Sequence, residues 1–190
     1  MNNTNKTTTY AFIDSQNLNL GTSKDLIRNG QQIYTGWKLD NKKFRQFLSD
    51  KFRVTKAFLF IGYLDQYKDL YKFLESVGYT LIFKPTVKDE HGKPKGNVDA
   101  ELVLHSAAIE FQNYDKAVIV SGDGDFRCLH EYLIQHEKLE KIIIPNKFSE
   151  SSLLKEFHDY KIFLYREKKK LEYIPTELQI KSKKNGRRRS

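Results

Sequence analysis

Six apolar runs rich in β-branched and aromatic residues recur along the chain, with helix-spaced segments between them. This alternation limits the fold more than any other feature. The runs are YAFID (10–14), KAFLFIGY (56–63), TLIFKP (80–85), KAVIVSG (116–122), KIIIP (141–145) and KIFLYR (161–166). Nearly continuous apolar strands are what a sheet covered on both faces produces. Between them, Leu70, Phe73, Leu74 and Val77 mark one helical face, ended by Gly78. Ala100, Val103, Leu104, Ala107 and Ala108 mark a second, and Phe126, Leu129, Leu133 and Ile134 a third. The β-α-β-α order predicts a three-layer α/β/α domain around a doubly wound, mainly parallel sheet.

The stretch from Gly21 to Gly36 is polar and weakly patterned, and reads as a loop or a short helix. Helical spacing resumes at Leu39, Phe44, Phe47 and Leu48, with Asp40 as N-cap. After residue 166 the apolar period fades and charge rises. The expected organisation is therefore an unstructured start (1–9), one domain (10–172) and a basic flexible tail (173–190). The net charge is +9, but six positive charges fall in the last ten residues, which leaves only +3 for the rest. That is the charge layout of a polyanion-binding extension on a modest domain, or of a solvated end.

No apolar run approaches the roughly 20 residues of a membrane-spanning helix, so no membrane partner is expected. The N-terminal MNNTNKTTT has no apolar core of the kind a secretory signal needs, and the single Cys128 cannot form an internal disulfide. A reducing cytoplasm is the expected location.

Asp14, Asp99, Asp123 and Asp125 each follow an apolar run or open the helical pattern after it. In an open α/β sheet this puts them at one edge, beyond the carboxyl ends of the strands, where ligands bind. Four carboxylates gathered there repel one another unless a cation neutralises them, which predicts a divalent metal site. Each residue also has a plainer reading. Asp14 and Asn17 suit a turn or helix cap, and Asp99 suits the first turn of a helix. The segment SGDGDF (121–126) is more specific, because two glycines permit a tight turn after a strand while Asp123 has no local role of its own. A calcium EF-hand loop counted from Asp123 would need Gly and Glu where Leu129 and Ile134 stand. A phosphatase with an aspartyl nucleophile would want a hydroxyl residue where Arg127 stands.

Lys84, Lys88, Lys93 and Lys95, in the loop 84–97 that precedes Asp99, are expected close to the carboxylate cluster and suit a phosphate-bearing substrate. The five histidines have no zinc spacing and read as surface or packing residues. Hard oxygen ligands point to Mg²⁺ or Mn²⁺. Neither a GxGxxG nor a Walker lysine motif is present.

FIDSQN, KGNVDAELV and SGDGDF, in this order, resemble the NYN domains of the PIN-like nuclease superfamily, particularly their LabA-like branch. IGY (61–63), Lys84-Pro85 and IPN (144–146) fit the same pattern, and the resemblance spans about residues 10–166. It implies a parallel sheet in the order 3-2-1-4-5 and an Mg²⁺- or Mn²⁺-dependent ribonuclease acting on RNA. It carries the catalytic, metal-ligand role onto Asp14, Asp99 and Asp123, with Asp125 as a further candidate ligand. Asn17, Ser121 and Lys95 become supporting residues for substrate, beside Lys84. Ser15 departs from the glycine more often found after the first aspartate. The alternatives are an RNA-binding or regulatory module with weak turnover, and a small phosphohydrolase or nucleotidase. The oligomeric state stays open, a homodimer included.

Overall fold

Each apolar run forms one strand of a single sheet, because its alternate residues have helices to pack against on both sides. The computed structural model describes residues 7–84, 87–88, 94–95 and 98–175. The strands are β1 (Thr9–Asp14), β2 (Val54–Gly62), β3 (Tyr79–Lys84), β4 (Lys116–Val120), β5 (Leu139–Ile144) and β6 (Lys161–Phe163). They lie in the order β6-β5-β4-β1-β2-β3, all parallel. The expected order 3-2-1-4-5 is thus extended by a sixth strand, the short run 161–163, at the β5 edge.

The period-2 pattern of β1 shows how the layers form. Ala11 and Ile13 face a core shared with α1 (Ser15–Ser23), α2 (Asn41–Phe52), α3 (Lys68–Ser76) and the short α6 (Lys168–Leu171). Tyr10 and Phe12 face the opposite core, built with α4 (Val98–Leu104) and α5 (Arg127–Gln135). The chain fills one half of the sheet through α1, α2 and α3, then crosses to the other half and the other layer through α4. The switch point therefore lies between β1 and β4, where an open α/β sheet leaves a crevice.

Three sequence expectations need correction. The stretch from Gly21 to Gly36, read as a loop or a short helix, holds the end of α1 (Ser15–Ser23) and then a hairpin that pairs Leu26–Arg28 with Gln31–Tyr34. Asn29 and Gly30, both at positive φ, make the two-residue turn. Second, α3 buries Tyr71 and Leu74, whereas Leu70 and Phe73 stay exposed. Third, the face of α4 that reaches the core centres on Leu102, with Val103 and Ala107 of the expected face packed against it, while Leu104 points outward; the helix widens into a π-turn at His105–Ile109. By contrast, Asp40 caps α2 by accepting from the Lys42 and Lys43 N–H groups, as its position implied. The final described segment is tied down: Leu171 is buried, Glu172 bridges Leu39, and the Tyr173 N–H donates to the Lys38 carbonyl at 2.8 Å. Residues 176–190, the bulk of the expected basic tail, lie outside the described residues.

His130 on α5 is fully buried, its ring set edge-on to Phe157 at 5.4 Å, and neither ring nitrogen has a hydrogen-bond partner among the described residues. Burial pushes its pKa down to about 4, so the folded protein keeps it neutral. Between that value and the ordinary histidine value near 6.5 the unfolded chain binds a proton that the folded chain does not, so stability falls as pH falls through this window. The contribution is on the order of 3 kcal/mol between pH 7 and 4. Denaturant unfolding of wild type and His130→Leu at pH 7, 5.5 and 4.5 should show a shallower loss of stability in the variant; parallel curves would mean that other groups carry the acid sensitivity.

Candidate active site

Asp14 is the last residue of β1 and the N-cap of α1, so one side chain joins the sheet to the helix that follows it. Its Oδ1 accepts from the Gln16 and Asn17 N–H groups, each at 3.0 Å. Its Oδ2 faces the neighbouring strand end, where the Ser121 hydroxyl donates at 3.4 Å. Parallel pairing of β1 with β4, which sets Ile13 beside Val120, is what brings these residues together. The Asn17 side chain accepts from the Gly122 N–H at 2.9 Å and ties α1 to the loop after β4. In that loop the Asp123 N–H donates to Ser121 Oγ at 3.2 Å, and the Asp125 N–H donates to Asp123 Oδ1 at 3.0 Å.

A cleft of about 420 Å³ opens over this switch point, lined by Asp14, Asp99 and Asp123 among others. Three of the four expected carboxylates therefore share one cavity. Asp125 is exposed and outside that lining, although its charge is felt at Asp99. Asn17 also lines the cleft, and Ser121 is buried beneath it. Lys84, at the end of β3, is buried on the same side of the sheet. The side chain of Lys95 lies outside those described, as do Lys88 and Lys93.

The electrostatics follow from this crowding. Burial pushes the Asp14 carboxyl above its ordinary value; the hydrogen bonds from Asn17 and Gln16 oppose this, and the Asp123 charge adds to it. Burial likewise raises Asp99, reinforced by the charges of Asp14, Asp123 and Asp125 and opposed by Lys84. The Lys84 ammonium is disfavoured by burial and supported by Asp99, Asp14 and Glu101. Lys84 is thus a cation that partly balances the acidic set.

The donor set suits a hard divalent ion. Among the described residues no three His, Cys, Asp or Glu side chains stand close enough to hold one ion by themselves. Such a set still suits Mg²⁺ or Mn²⁺, since magnesium is ordinarily held by one or two carboxylates, with waters and substrate oxygens completing its shell. Of Asp14, Asp99 and Asp123, one or two would hold it.

The sequence reading missed four polar residues of the cleft wall: Lys24, Gln16, Asn146 and Ser149. Lys24 lay in the segment taken for a loop. Asn146 stood in the IPN string but was given no role; it is buried, and its side chain accepts from the Phe148 N–H.

Because Asp14 and Asp99 sit above their ordinary values, the folded protein holds protons that the unfolded chain releases, so their effect on metal-free stability worsens as pH rises. Asp99→Asn should raise the metal-free melting temperature by about 2–4 °C at neutral pH and shrink the rise produced by Mn²⁺. Thermal scans in EDTA and in MnCl₂ would check this. A lower metal-free melting temperature would mean that Asp99 serves chiefly to open α4.

The NYN domain family model matches residues 8–165. Among solved structures, a protein of unknown function from Vibrio parahaemolyticus superposes with a TM-score of 0.63 at 19% identity, covering 84% of this chain and 94% of that one. At that identity the likeness concerns the fold. No curated protein matches the chain.

Proposed function

The chain belongs to the NYN domain family, within the PIN-like nuclease superfamily, and from that premise we propose that it is a divalent-metal-dependent ribonuclease that hydrolyses RNA phosphodiester bonds to 5′-phosphate and 3′-hydroxyl ends. The observation that carries this reading is the convergence of Asp14, Asp99 and Asp123 on one cleft at the switch point of the sheet. Family membership supports the nuclease chemistry, and the geometry supports which residues perform it.

Bound in the cleft, Mg²⁺ or Mn²⁺ would supply an activated water and charge stabilisation at the leaving 3′-oxygen. The protein's own part is placement. Asp14 is held by the first turn of α1, with Oδ1 engaged and Oδ2 directed at the neighbouring strand end. Asn17 fixes the Gly122 backbone, and through it the turn that presents Asp123. Lys24 at the cleft wall is a cation beside the phosphate path. Lys84 offsets part of the negative charge that would otherwise repel a polyanion. The lysines of the 84–97 segment and the basic tail are proposed to add sequence-independent phosphate contacts.

The rival reading is an RNA-binding module without useful turnover, and what favours it is that the described carboxylates do not close on one ion unaided. Purified protein incubated with a panel of labelled RNAs in Mn²⁺, Mg²⁺ or EDTA separates the two. Cleavage is expected only with metal, and Asp14→Asn and Asp123→Asn should each abolish it while leaving the circular dichroism spectrum unchanged, since asparagine can still cap α1. Undiminished activity in both variants would overturn the assignment of the site.

A further inference from the structure

The first turn of α1 separates two cavities, and Gln16 lines both of them. On one side lies the acidic cleft. On the other a larger groove, about 720 Å³, runs between α1, the loop before α2, the end of β2 and α3. Its size falls in the range of small-molecule sites. Its floor is apolar, with Leu18, Trp37, Leu59 and Leu74 all buried. Its lip is apolar too, yet open: Leu64, Tyr67 and Leu70 are 37%, 44% and 39% exposed. Tyr67 and Leu70 come from the turn into α3 and from its first turn, where the sequence pattern put Leu70 in the core.

The charge of the two cavities differs sharply. Among the described residues that line the groove there is no carboxylate, and the one charged group is Lys38. The chain carries 24 acidic residues, so a lining without any is a selective surface for something that tolerates no negative neighbour. The polar groups that are present, Gln16, Asn19 and Asn41 among them, are amides able to pair with the edge of a base. An occupant that is planar and apolar in body, polar at its edge and joined to phosphate fits all three features. That occupant is a nucleotide, and continuity through Gln16 places its phosphate side toward the acidic cleft.

We propose that this groove is a nucleobase subsite that seats an unpaired base of the same RNA strand whose phosphate lies in the acidic cleft, with Tyr67 and Leu70 closing over the base at the lip. The identity of the strand rests on the ribonuclease reading; the existence of the subsite does not rest on turnover. A base inside a duplex could not enter the groove, so the site would favour single strands.

Trp37 is the single tryptophan of the chain and forms part of the groove floor, so its fluorescence reports occupancy without any cleavage. The experiment titrates full-length protein in EDTA with a hexauridylate, a hexaadenylate, a blunt RNA duplex and ribose 5-phosphate. Saturable changes are expected with the single strands and not with the duplex or the sugar phosphate. Tyr67→Ala and Leu70→Asp remove exposed side chains, so they should leave the melting temperature within about 2 °C and raise the Kd for the single strands by about ten-fold. An unsaturable response, equal response to the duplex, or wild-type Kd in both variants would overturn the proposal. So would concentration-dependent self-association in sedimentation that Leu70→Asp abolishes, since the groove would then belong to a second copy. Binding with this variant pattern but no cleavage in any metal would leave the subsite standing and remove the nuclease reading. Metal-dependent cleavage with Kd and KM unchanged in Tyr67→Ala would do the reverse.

Discussion

The hydrogen bonds that the Asp14 carboxylate accepts from the start of α1 are the constraint on which the site is built. A carboxylate at the end of a buried central strand would be free to turn if it had no partner. Two backbone N–H groups hold one of its oxygens, and the favourable end of the helix dipole faces its charge. The other oxygen is left on the side where β4 ends. Parallel register then decides what it meets: Ser121, and beyond it the turn carrying Asp123. The start of α1 and the position of Asp14 against Ser121 follow from this junction acting together with the parallel pairing of β1 and β4.

This arrangement works against folding and in favour of ligand binding. The buried Asp14 carboxyl and the half-buried Asp99 carboxyl, both raised by desolvation and by neighbouring charge, work against the folded protein at neutral pH, and Lys84 offsets part of that. A cation bound in the proposed site would remove the same repulsion. The groove on the far side of Gln16 carries none of this charge. Two adjoining cavities of opposite character match a substrate whose backbone and bases differ in the same way.

The sheet was legible in the sequence because its central strands are buried on both faces and so read as unbroken apolar runs; even the half-buried edge strand β6 announced itself as KIFLYR. The position of the acidic set was legible for a related reason, since residues at the carboxyl end of a strand sit next to its apolar run in the sequence. What the sequence hid follows from weaker local signals. α1 has few apolar residues and holds its place through the Asp14 cap and tertiary packing of Leu18 and Thr22, so helical periodicity could not find it. The hairpin after it carried an Asn-Gly signal that went unread. On α3 the i, i+3, i+4 pattern admitted more apolar positions than the core uses, and only packing shows that Tyr71, not Leu70, faces inward. Asn146 comes from a distant part of the chain, so no local spacing could have joined it to the cleft, and Lys24 is joined to it only through α1, which it caps.

How wide that cleft can be is set by a close approach of backbones. A Cβ on Gly21 of α1 would stand 2.6 Å from Cβ of Pro145, which follows β5. Both atoms belong to rigid parts of the chain, so any side chain at position 21 would push α1 and the loop after β5 apart. That displacement would move Asn17, which lies one helical turn before Gly21, and with it the hydrogen bond that holds Gly122. The loop presenting Asp123 would then lose its tie to the helix capped by Asp14. The glycine, itself part of the cleft wall, thus acts by its lack of a side chain: it lets α1 lie against Pro145 closely enough for Asp14 and Asp123 to face one cavity.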